Sequence, residues 1–437
     1  GIVMDLVVNH SSSLHDWFRA ARASREAPEH DYYIWRDAAP DGGPPDDQQA
    51  AFGGPAWTWV EEVAQYYFHY FSPAQPDLNW ANPALRAEIY DMMRWWLDRG
   101  IAGFRMDVIS LIGKDVDARV YEEGPTLHNH LQEMHREVLA GRDLVTIGES
   151  WSVSPETGLL YCGRDRGELG MVFEFSHIRE GWDPKRGKFA PRPFDLRGFK
   201  RELFAWQDLT RHDGWTSLFL SNHDLPRQVS FYADDGPYRR EAAKMLATVL
   251  HLLKGTPFIY QGEEIGMTNA PFERIDQYRD LETLNHFEAQ IAAGVPLEEF
   301  IAGARRNSRD NSRTPMQWSP APQAGFTTGT PWIEVNPNAS EINVERDSAQ
   351  PDGILAHYRK LVGLRKECDI VAFGETEPFL EDSPTVMAYQ RRLGEQRLVV
   401  LGNFTRQPQH VALPDGIDEA GICLVASHEK RDQLPRQ

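Results

Sequence analysis

The sequence predicts an α/β protein built on a (β/α)8 barrel of the TIM type, with an inserted irregular domain and a C-terminal antiparallel β domain. Strand and helix patterns alternate over much of the chain, which is typical of a parallel sheet. A stretch rich in Pro, Gly and aromatic residues interrupts the alternation near the start. After about residue 370 two apolar runs flank a short Gly-containing turn, which indicates a β-hairpin.

The barrel elements follow one another in order. Residues 1–8 form an apolar run broken only by Asp5, as expected of a buried parallel strand. Pro83 to Arg99 is predicted to be a helix, with Pro at its start and Gly100 just beyond its end. The other predicted strands are Gly103 to Val108, Leu144 to Gly148, Met171 to Phe175, Thr216 to Leu220 and Pro257 to Tyr260. The other predicted helices are Leu127 to Leu139, Pro155 to Tyr161, Asp195 to Leu209, Tyr238 to Leu253 and Ile354 to Arg365.

These patterns predict three domains. Residues 1–10 and 76–369 form the barrel, residues 11–75 form the inserted domain, and residues 370–437 form a C-terminal β-sandwich without a clear final strand. A second irregular stretch is expected over about 262–350. Because six strands can be placed and a closed barrel needs eight, we expect about two strand–helix units to precede Gly1.

Composition narrows the class of partner. A net charge of −19 makes nucleic acids and anionic membranes poor partners, and a neutral or cationic ligand fits better. The 13 Trp residues suit stacking on sugar rings, although most are expected to lie in the core. The three Cys residues are far apart and form neither a disulfide framework nor a zinc pattern, which indicates a reducing compartment. We expect a cytoplasmic protein without a membrane span, either a monomer or a weak oligomer.

Acidic and polar residues follow several of the predicted strands, where barrels carry their functional groups. Taken singly, Asp107 could cap a helix, Glu149 could be a surface acid and His223 could be a core histidine. Several ionisable groups facing one cleft are costly unless chemistry uses them, so together they predict a glycosidase-type site. The residues at these strand ends are Asn9, His10, Arg105, Asp107, Glu149, Asn222, His223 and Asp224.

Six segments make the sequence similar to the α-amylase superfamily of retaining glycoside hydrolases, and within it to the oligo-1,6-glucosidase group. The segments occur in the family's order, and the resemblance extends to about residue 400. They are DLVVNH (5–10), QPDLNW (75–80), GFRMDVI (103–109), IGES (147–150), SNHD (221–224) and SRDNSRTPMQW (308–318).

The resemblance implies a role for each matching carboxylate. Asp107 matches the nucleophile, Glu149 matches the general acid/base, and Asp224 matches the carboxylate that binds ring hydroxyls and stabilises the transition state. Retaining hydrolysis needs two carboxyl groups about 5–5.5 Å apart, one ionised and one protonated. We expect a negative neighbour and partial burial to keep the proton on Glu149.

Further matches imply contacts with the sugar. His10 and His223 match ligands of sugar hydroxyls, Phe71 and Gln75 match contacts near the same subsite, Arg105 matches the arginine that keeps the nucleophile ionised, and Arg309 matches the arginine that recognises the non-reducing end. No metal or organic cofactor is expected in this chain. In many relatives a calcium loop lies in the N-terminal part that we expect to be missing here.

Fewer residues of the sequence indicate the substrate than indicate the type of reaction. In the group that the chain resembles, Val at position 108 accompanies α-1,6 linkages and Thr accompanies α-1,4 linkages, although Val108 could simply pack the barrel. The sequence therefore predicts an exo-acting α-glucosidase that hydrolyses α-1,6 bonds at the non-reducing end of isomaltose-like oligosaccharides.

The alternatives within enzymes are a broad α-1,4-glucosidase, a trehalose-6-phosphate hydrolase and a sucrose-isomerising transglycosylase, since the last two share the segment at 75–79. The non-enzymatic alternative is a protein like the heavy chains of amino-acid transporters. It is disfavoured because Asp107, Glu149 and Asp224 are all present.

Overall fold

The computed structural model describes residues 1–415, 417 and 421–428. Contacts between Cα atoms divide the chain into two compact units. The first unit is Gly1–Phe175 with His212–Trp215, and the second is Ser176–Arg211 with Thr216–Gln437. Within the described residues, no helix is both long enough and apolar enough to cross a membrane.

The first unit contains one parallel sheet and one antiparallel sheet, with helices between their strands. Its strands are β1 (Val3–Val7), β2 (Trp35–Arg36), β3 (Trp57–Val60), β4 (Gln65–Phe68), β5 (Gly103–Asp107), β6 (Val145–Glu149) and β7 (Met171–Phe173). Its α-helices are α1 (Asp16–Ala23), α2 (Pro83–Leu97), α3 (Leu127–Met134) and α4 (Pro155–Cys162).

The parallel sheet has the strand order β1-β5-β6-β7. Apolar side chains such as Leu6, Phe104 and Ile147 are buried along it, which explains why these runs form strands. Its register pairs Val7 with Asp107 and Glu149 with Phe173. Because the strands are parallel, their carboxyl ends lie at one edge of the sheet, so the residues at the ends of β1, β5 and β6 are brought together.

Helix α2 shows how local sequence sets the bounds of an element. The side chain of Asn82 accepts a hydrogen bond from the N–H of Ala84 over 2.8 Å, and Pro83 occupies the first turn. After the helix, Gly100 adopts a left-handed φ of +90°, which glycine tolerates best. The predicted helix is confirmed, and it ends two residues earlier than predicted, at Leu97 rather than Arg99.

Residues 11–75 contain more regular structure than the predicted irregular insertion. Besides α1, they form an antiparallel sheet with the order β2-β4-β3. Its register places aromatic residues opposite one another, as in the pair of Trp57 with Phe68 and the pair of Trp59 with Tyr66. Cross-strand aromatic pairs stabilise small sheets, so the aromatic richness of this stretch reflects its core.

The second unit is mainly helical. Its strands are β8 (Trp182–Asp183), β9 (Gly187–Pro191), β10 (Ser217–Leu218), β11 (Thr256–Pro257), β12 (Glu375–Phe379), β13 (Val386–Leu393) and β14 (Gln396–Asn403). Its helices are α5 (Ser176–Arg179), α6 (Leu196–Leu209), α7 (Gln228–Tyr232), α8 (Arg239–His251), α9 (Leu281–Ala292), α10 (Leu297–Asn307), α11 (Asp310–Arg313), α12 (Val344–Ser348), α13 (Ile354–Glu367) and α14 (Asp369–Phe373).

Strands β10 and β11 pair in parallel, with Leu218 opposite Pro257. The segments that follow them, 221–224 and 260–265, therefore leave the pair on the same side. The stretch 262–350, predicted to be irregular, contains helices α9 to α12. Its core includes Phe272, Tyr278 and Phe300. The prediction missed these helices because an apolar helical face is short here and is flanked by Pro and Gly.

The C-terminal sheet has the antiparallel order β12-β13-β14, and the predicted hairpin is confirmed. Gly394, with a φ of +57°, lies in its two-residue turn. Tyr389 anchors the sheet by donating its hydroxyl proton to the carbonyl of Val249 in α8 over 2.8 Å. The described residues after β14 form no further strand, so the second sheet of a sandwich stays a prediction.

Candidate active site

Arg105 joins the two carboxylates predicted to carry the chemistry. Successive side chains alternate along a strand, so Arg105 and Asp107 lie on the same face of β5. Nη1 of Arg105 is 2.7 Å from Oδ1 of Asp107, and Nη2 is 2.6 Å from Oε2 of Glu149. Nη1 is also 2.8 Å from Oδ1 of Asp5, its neighbour on β1. One guanidinium thus bridges Asp107 and Glu149 at adjacent strand ends.

The charge of this arrangement is set by burial and by the three acids. Burial alone would lower the pKa of Arg105, but the carboxylates of Glu149, Asp107 and Asp5 outweigh it and raise the pKa above its usual value. The arginine therefore stays charged, as the resemblance implies for a partner of the nucleophile. Sequence reasoning did not foresee that the same cation contacts Glu149. The predicted acid must exchange this ion pair for a proton before it protonates a leaving group.

Glu149 is also held by the backbone. Its side chain is only 2% exposed, and Oε2 accepts a hydrogen bond from the N–H of Val108 over 3.0 Å. Val108 reaches this position with φ 37° and ψ 44°, a left-handed conformation that is rare for a β-branched residue. Its own side chain is buried.

Three predicted sugar contacts meet next to β1. Nε2 of His10 lies 3.0 Å from Nε2 of Gln75, and the rings of His10 and Phe71 are edge-to-face with centroids 5.5 Å apart. Burial lowers the pKa of His10, although Asp77 and Asp107 oppose this effect. The imidazole is therefore neutral at pH 7 and can exchange hydrogen bonds with a hydroxyl.

A buried ion pair lies next to His10, and sequence analysis missed it. Nζ of Lys114 is 2.6 Å from Oδ1 of Asn9 and 3.1 Å from Oδ2 of Asp77. The side chains of Lys114 and Asp77 are 3% and 0% exposed. Burial lowers the pKa of Lys114, and Asp77 opposes it. Asp77 lies in a motif segment, but no pattern identified Lys114 as its partner.

The second unit holds the third predicted carboxylate. Asp224 lies 2.6 Å from Nη2 of Arg313, 3.2 Å from Nη1 of Arg309 and 3.3 Å from Nε2 of His223. The side chain of Asn222 accepts a hydrogen bond from the N–H of Asp224 over 2.7 Å. Burial would raise the pKa of Asp224, but the neighbouring side chains of His223, Arg309 and Arg313, together with Lys188, outweigh it and lower the pKa below its usual value.

Arg309 belongs to a larger network of paired charges. It lies 2.6 Å from Asp280 and 3.5 Å from Glu282, and Nζ of Lys188 lies 2.8 Å from the same oxygen of Glu282. Asp280, Glu282 and Lys188 were not predicted, because they are distant in sequence from Arg309 or carry no motif of their own. Arg313 lies in the motif segment 308–318, but nothing in the pattern identified it as a partner of Asp224. The prediction that Asp224 shares a cleft with Asp107 and Glu149 stays a prediction.

Among the residues that the structure describes, no group of three or more His, Cys, Asp or Glu side chains could hold a metal ion. The expectation that the chain needs no cofactor remains a prediction.

The family follows from comparison with known proteins. Residues 1–374 match the family described as alpha amylase, catalytic domain. The chain belongs to the alpha-amylase family. It is a glycoside hydrolase of the α-glucosidase type, and the predicted barrel fold with its C-terminal antiparallel β domain is confirmed.

Individual relatives have related but different names. Over 438 residues the chain is 49% identical to palatinase of Erwinia rhapontici, covering 99% of this chain and 80% of that protein. It is 49% identical to oligo-1,6-glucosidase of Halalkalibacterium halodurans over 418 residues, covering 92% and 74%. The crystal structure of Bacillus licheniformis trehalose-6-phosphate hydrolase superposes with a TM-score of 0.91 at 44% identity, covering 99% of this chain and 80% of that one.

Proposed function

We propose that this α-glucosidase acts from the non-reducing end, retains anomeric configuration and hydrolyses α-1,6 bonds of isomaltose-like oligosaccharides. The observation that carries the proposal is the bridge that Arg105 makes between Asp107 and Glu149. Two carboxyl groups within reach of one guanidinium suit a double displacement, in which one attacks and the other transfers protons.

In the first step a carboxylate oxygen of Asp107 attacks the anomeric carbon, and the bond from that carbon to the leaving oxygen breaks. Glu149 gives its proton to the leaving oxygen, which departs as a hydroxyl group. In the second step Glu149 takes a proton from water, and the water oxygen attacks the anomeric carbon to release Asp107.

The bridge accounts for the change in the role of Glu149. Before the reaction, Arg105 contacts the carboxyl groups of Asp5, Asp107 and Glu149. Once Asp107 has formed an ester it no longer carries a charge, so the guanidinium interacts more strongly with its remaining acidic partners, Glu149 and Asp5. A neighbouring cation favours the ionised form of a carboxyl group, and the ionised form is the base that the second step needs.

The remaining predicted residues would bind the glucose unit. His10, with Gln75 and Phe71 beside it, supplies a neutral ring and an aromatic edge for its hydroxyls and faces. Asp224 is held ionised by its cationic partners, as a carboxylate that accepts hydrogen bonds from sugar hydroxyls requires.

Linkage preference would depend on Val108. An α-1,6 bond adds a methylene between the two sugars, and an apolar side chain tolerates it while offering no partner to the hydroxyl of an α-1,4-linked sugar. Relatives named oligo-1,6-glucosidase and glucan 1,6-alpha-glucosidase, at 49% and 46% identity, support this preference.

Charge pairing favours a neutral substrate over a phosphorylated one. In the described part of the second unit, Arg309, Arg313 and Lys188 all contact carboxylates. A phosphate group bound by one of these three side chains would compete with the carboxylate that the side chain already contacts. This competition disfavours the hydrolysis of trehalose 6-phosphate, the activity named for one of the structural relatives.

A linkage panel tests the proposal. Specificity constants would be measured for isomaltose, panose, maltose, sucrose, trehalose and trehalose 6-phosphate, with product analysis for sucrose to detect isomerisation. We expect the highest kcat/KM for isomaltose or panose. A higher value for maltose or trehalose 6-phosphate, or a rearranged disaccharide as the main product from sucrose, would overturn the proposed substrate.

A further inference from the structure

Glu263 is a buried acid next to the segment that carries Asp224. It begins the turn after β11, and its side chain is 3% exposed. Oε1 accepts a hydrogen bond from Oγ of Ser221 over 2.5 Å, and the hydroxyl of Tyr358 in α13 lies 3.5 Å from Oε2. Ser221 directly precedes Asn222, so Glu263 holds the start of the segment 221–224.

The surroundings of Glu263 do not neutralise a charge. Among the described residues, no Lys or Arg side chain forms an ion pair with it. The guanidinium of Arg227, which interacts electrostatically with Glu263, donates its hydrogen bonds to the carbonyl groups of Gln261, Asn311 and Ser312 instead. An ionised carboxylate buried without a cation is costly, so the neutral acid is the favoured form.

The titratable groups around Glu263 support this assignment. Burial raises the pKa of Glu263 to about 8; the carboxylate of Glu264 adds to this shift, and Ser221 and Arg227 oppose it. Behind Tyr358 lies the ring of His251, whose pKa burial lowers to about 4, so it brings no charge at pH 7. The groups facing Glu263 are thus Ser221, Arg227, Tyr260, Glu264 and Tyr358, with His251 behind the last.

The segment 221–224 is fixed from two sides. Arg313 donates from Nε to the carbonyl of His223 over 2.9 Å and from Nη2 to the carboxylate of Asp224 over 2.6 Å. At the other end, Ser221 is tied to Glu263. Releasing Ser221 would leave only one end of this short segment attached, and the position of the Asp224 carboxylate would become less well defined.

We propose that Glu263 is a positioning residue which, as a neutral carboxylic acid, holds Ser221 and so places His223 and Asp224 for sugar binding. The last step rests on the proposed function, because Asp224 is assigned to the substrate there. The anchoring of the segment rests on the contacts of Glu263, and its neutral state rests on its burial without an ion pair; neither depends on the proposed function. Two measurements separate these parts.

The first measurement is melting temperature against pH for the wild type, Glu263→Gln and Glu367→Gln. A carboxyl group whose pKa is raised on folding contributes stability that is complete at low pH and is lost as the pH rises through about 8. A glutamine does not titrate. We therefore expect the Tm of Glu263→Gln to rise relative to the wild type between about pH 5 and about pH 9.

The control, Glu367→Gln, removes an exposed carboxylate from the end of α13, the helix that carries Tyr358. Its Tm curve should run parallel to that of the wild type. If the difference in Tm between Glu263→Gln and the wild type is the same at every pH, Glu263 is not a neutral carboxylic acid in the folded protein, and this part of the proposal is wrong.

The second measurement combines hydrogen exchange of the peptide containing 221–225 with kcat/KM on an aryl α-glucoside. Glutamine keeps an uncharged hydrogen-bonding group in the same volume, so Glu263→Gln should match the wild type within about threefold in both. Glu263→Ala and Ser221→Ala should each speed exchange and lower kcat/KM by about tenfold or more.

Rescue by glutamine but not by alanine separates positioning from a general loss of stability. Hydrogen exchange in Ser221→Ala that equals the wild type would overturn the proposal. So would a loss of kcat/KM in Glu263→Gln as large as that in Glu263→Ala. If Glu263→Ala does not fold, Ser221→Ala provides the test. If the wild type does not cleave α-glucosides, the proposed function fails, whereas the exchange and melting data still test Glu263.

Discussion

The backbone N–H of Val108 donates a hydrogen bond to Oε2 of Glu149 over 3.0 Å. The residue after the proposed nucleophile thus holds the proposed acid/base, across two adjacent strands. To do so Val108 adopts a left-handed backbone conformation, with φ 37°. Such a conformation costs a non-glycine residue about 1–3 kcal/mol, and the rest of the structure must supply it.

This geometry makes Val108→Thr an unusually clean substitution. Both residues are β-branched and similar in volume, so the preference of the backbone changes little, and one methyl group is replaced by a hydroxyl group. A hydroxyl that pairs with an α-1,4-linked sugar is worth about 1–3 kcal/mol, so the ratio of kcat/KM for isomaltose to that for maltose should fall about tenfold or more. Val138→Thr, a buried valine after α3, is the control and should leave the ratio unchanged. An unmoved ratio in Val108→Thr would leave that residue a packing role only.

Arg105→Lys should lower kcat by about a hundredfold or more, because an ammonium group cannot contact the carboxylates of Asp5, Asp107 and Glu149 with the geometry of a planar fork. Steady-state kinetics on isomaltose measures the effect. Arg94→Lys, at a half-exposed position of α2 where Arg94 pairs with Asp91, is the matched control and should retain wild-type kinetics. A loss of less than about threefold in Arg105→Lys would contradict the shared role of the guanidinium.

Lys114→Met should destabilise the protein by about 3–5 kcal/mol, since it leaves the carboxylate of Asp77 buried without its cation. Urea unfolding measures the change. The double variant Lys114→Met with Asp77→Asn removes both charges and should lose much less than the sum of the single changes. Additive losses would show that the two side chains do not depend on each other.

Stability should fall as the pH drops from about 6.5 towards 4. Burial lowers the pKa of four histidines to about 4, so the unfolded chain binds more protons than the folded chain in this range. They are His69, His130, His251 and His357. Neither ring nitrogen of His251 has a hydrogen-bond partner among the described residues, so His251→Phe should reduce the loss of Tm without breaking a hydrogen bond. The control His410→Phe, at an exposed position, should leave the loss of Tm at low pH unchanged. An equal dependence of Tm on pH in the wild type and both variants would contradict the lowered pKa of His251.

The sequence was sufficient to predict the carboxylates that lie at the ends of the parallel strands. Asp107 and Glu149 could be predicted because apolar strands before them fix where the carboxyl ends of a parallel sheet lie. Charge partners such as Lys114 and Arg313 could not, since they meet Asp77 and Asp224 only after folding. The contact of Arg105 with Glu149 was missed for the same reason, because it joins two different strands.

The sequence also underpredicted regular structure between the barrel elements. The strands of residues 11–75 are four residues or shorter and carry aromatic rather than alternating apolar and polar residues, so their pattern resembles a loop. Their pairing depends on contacts such as that of Trp57 with Phe68, which a single strand does not reveal.

The central claim is that Asp107 attacks the sugar while Glu149 transfers protons, and trapping of the glucosyl-enzyme tests it most directly. An activated aryl α-glucoside has a leaving group that needs little help from an acid. Glu149→Gln should therefore still form the covalent intermediate and accumulate it, because the base for its hydrolysis is missing. Intact-mass and peptide spectra should then show one added glucosyl unit on the peptide that contains Asp107, whereas Asp107→Asn should show none. A label on another residue, or equal loss of labelling in the two variants, would contradict the account.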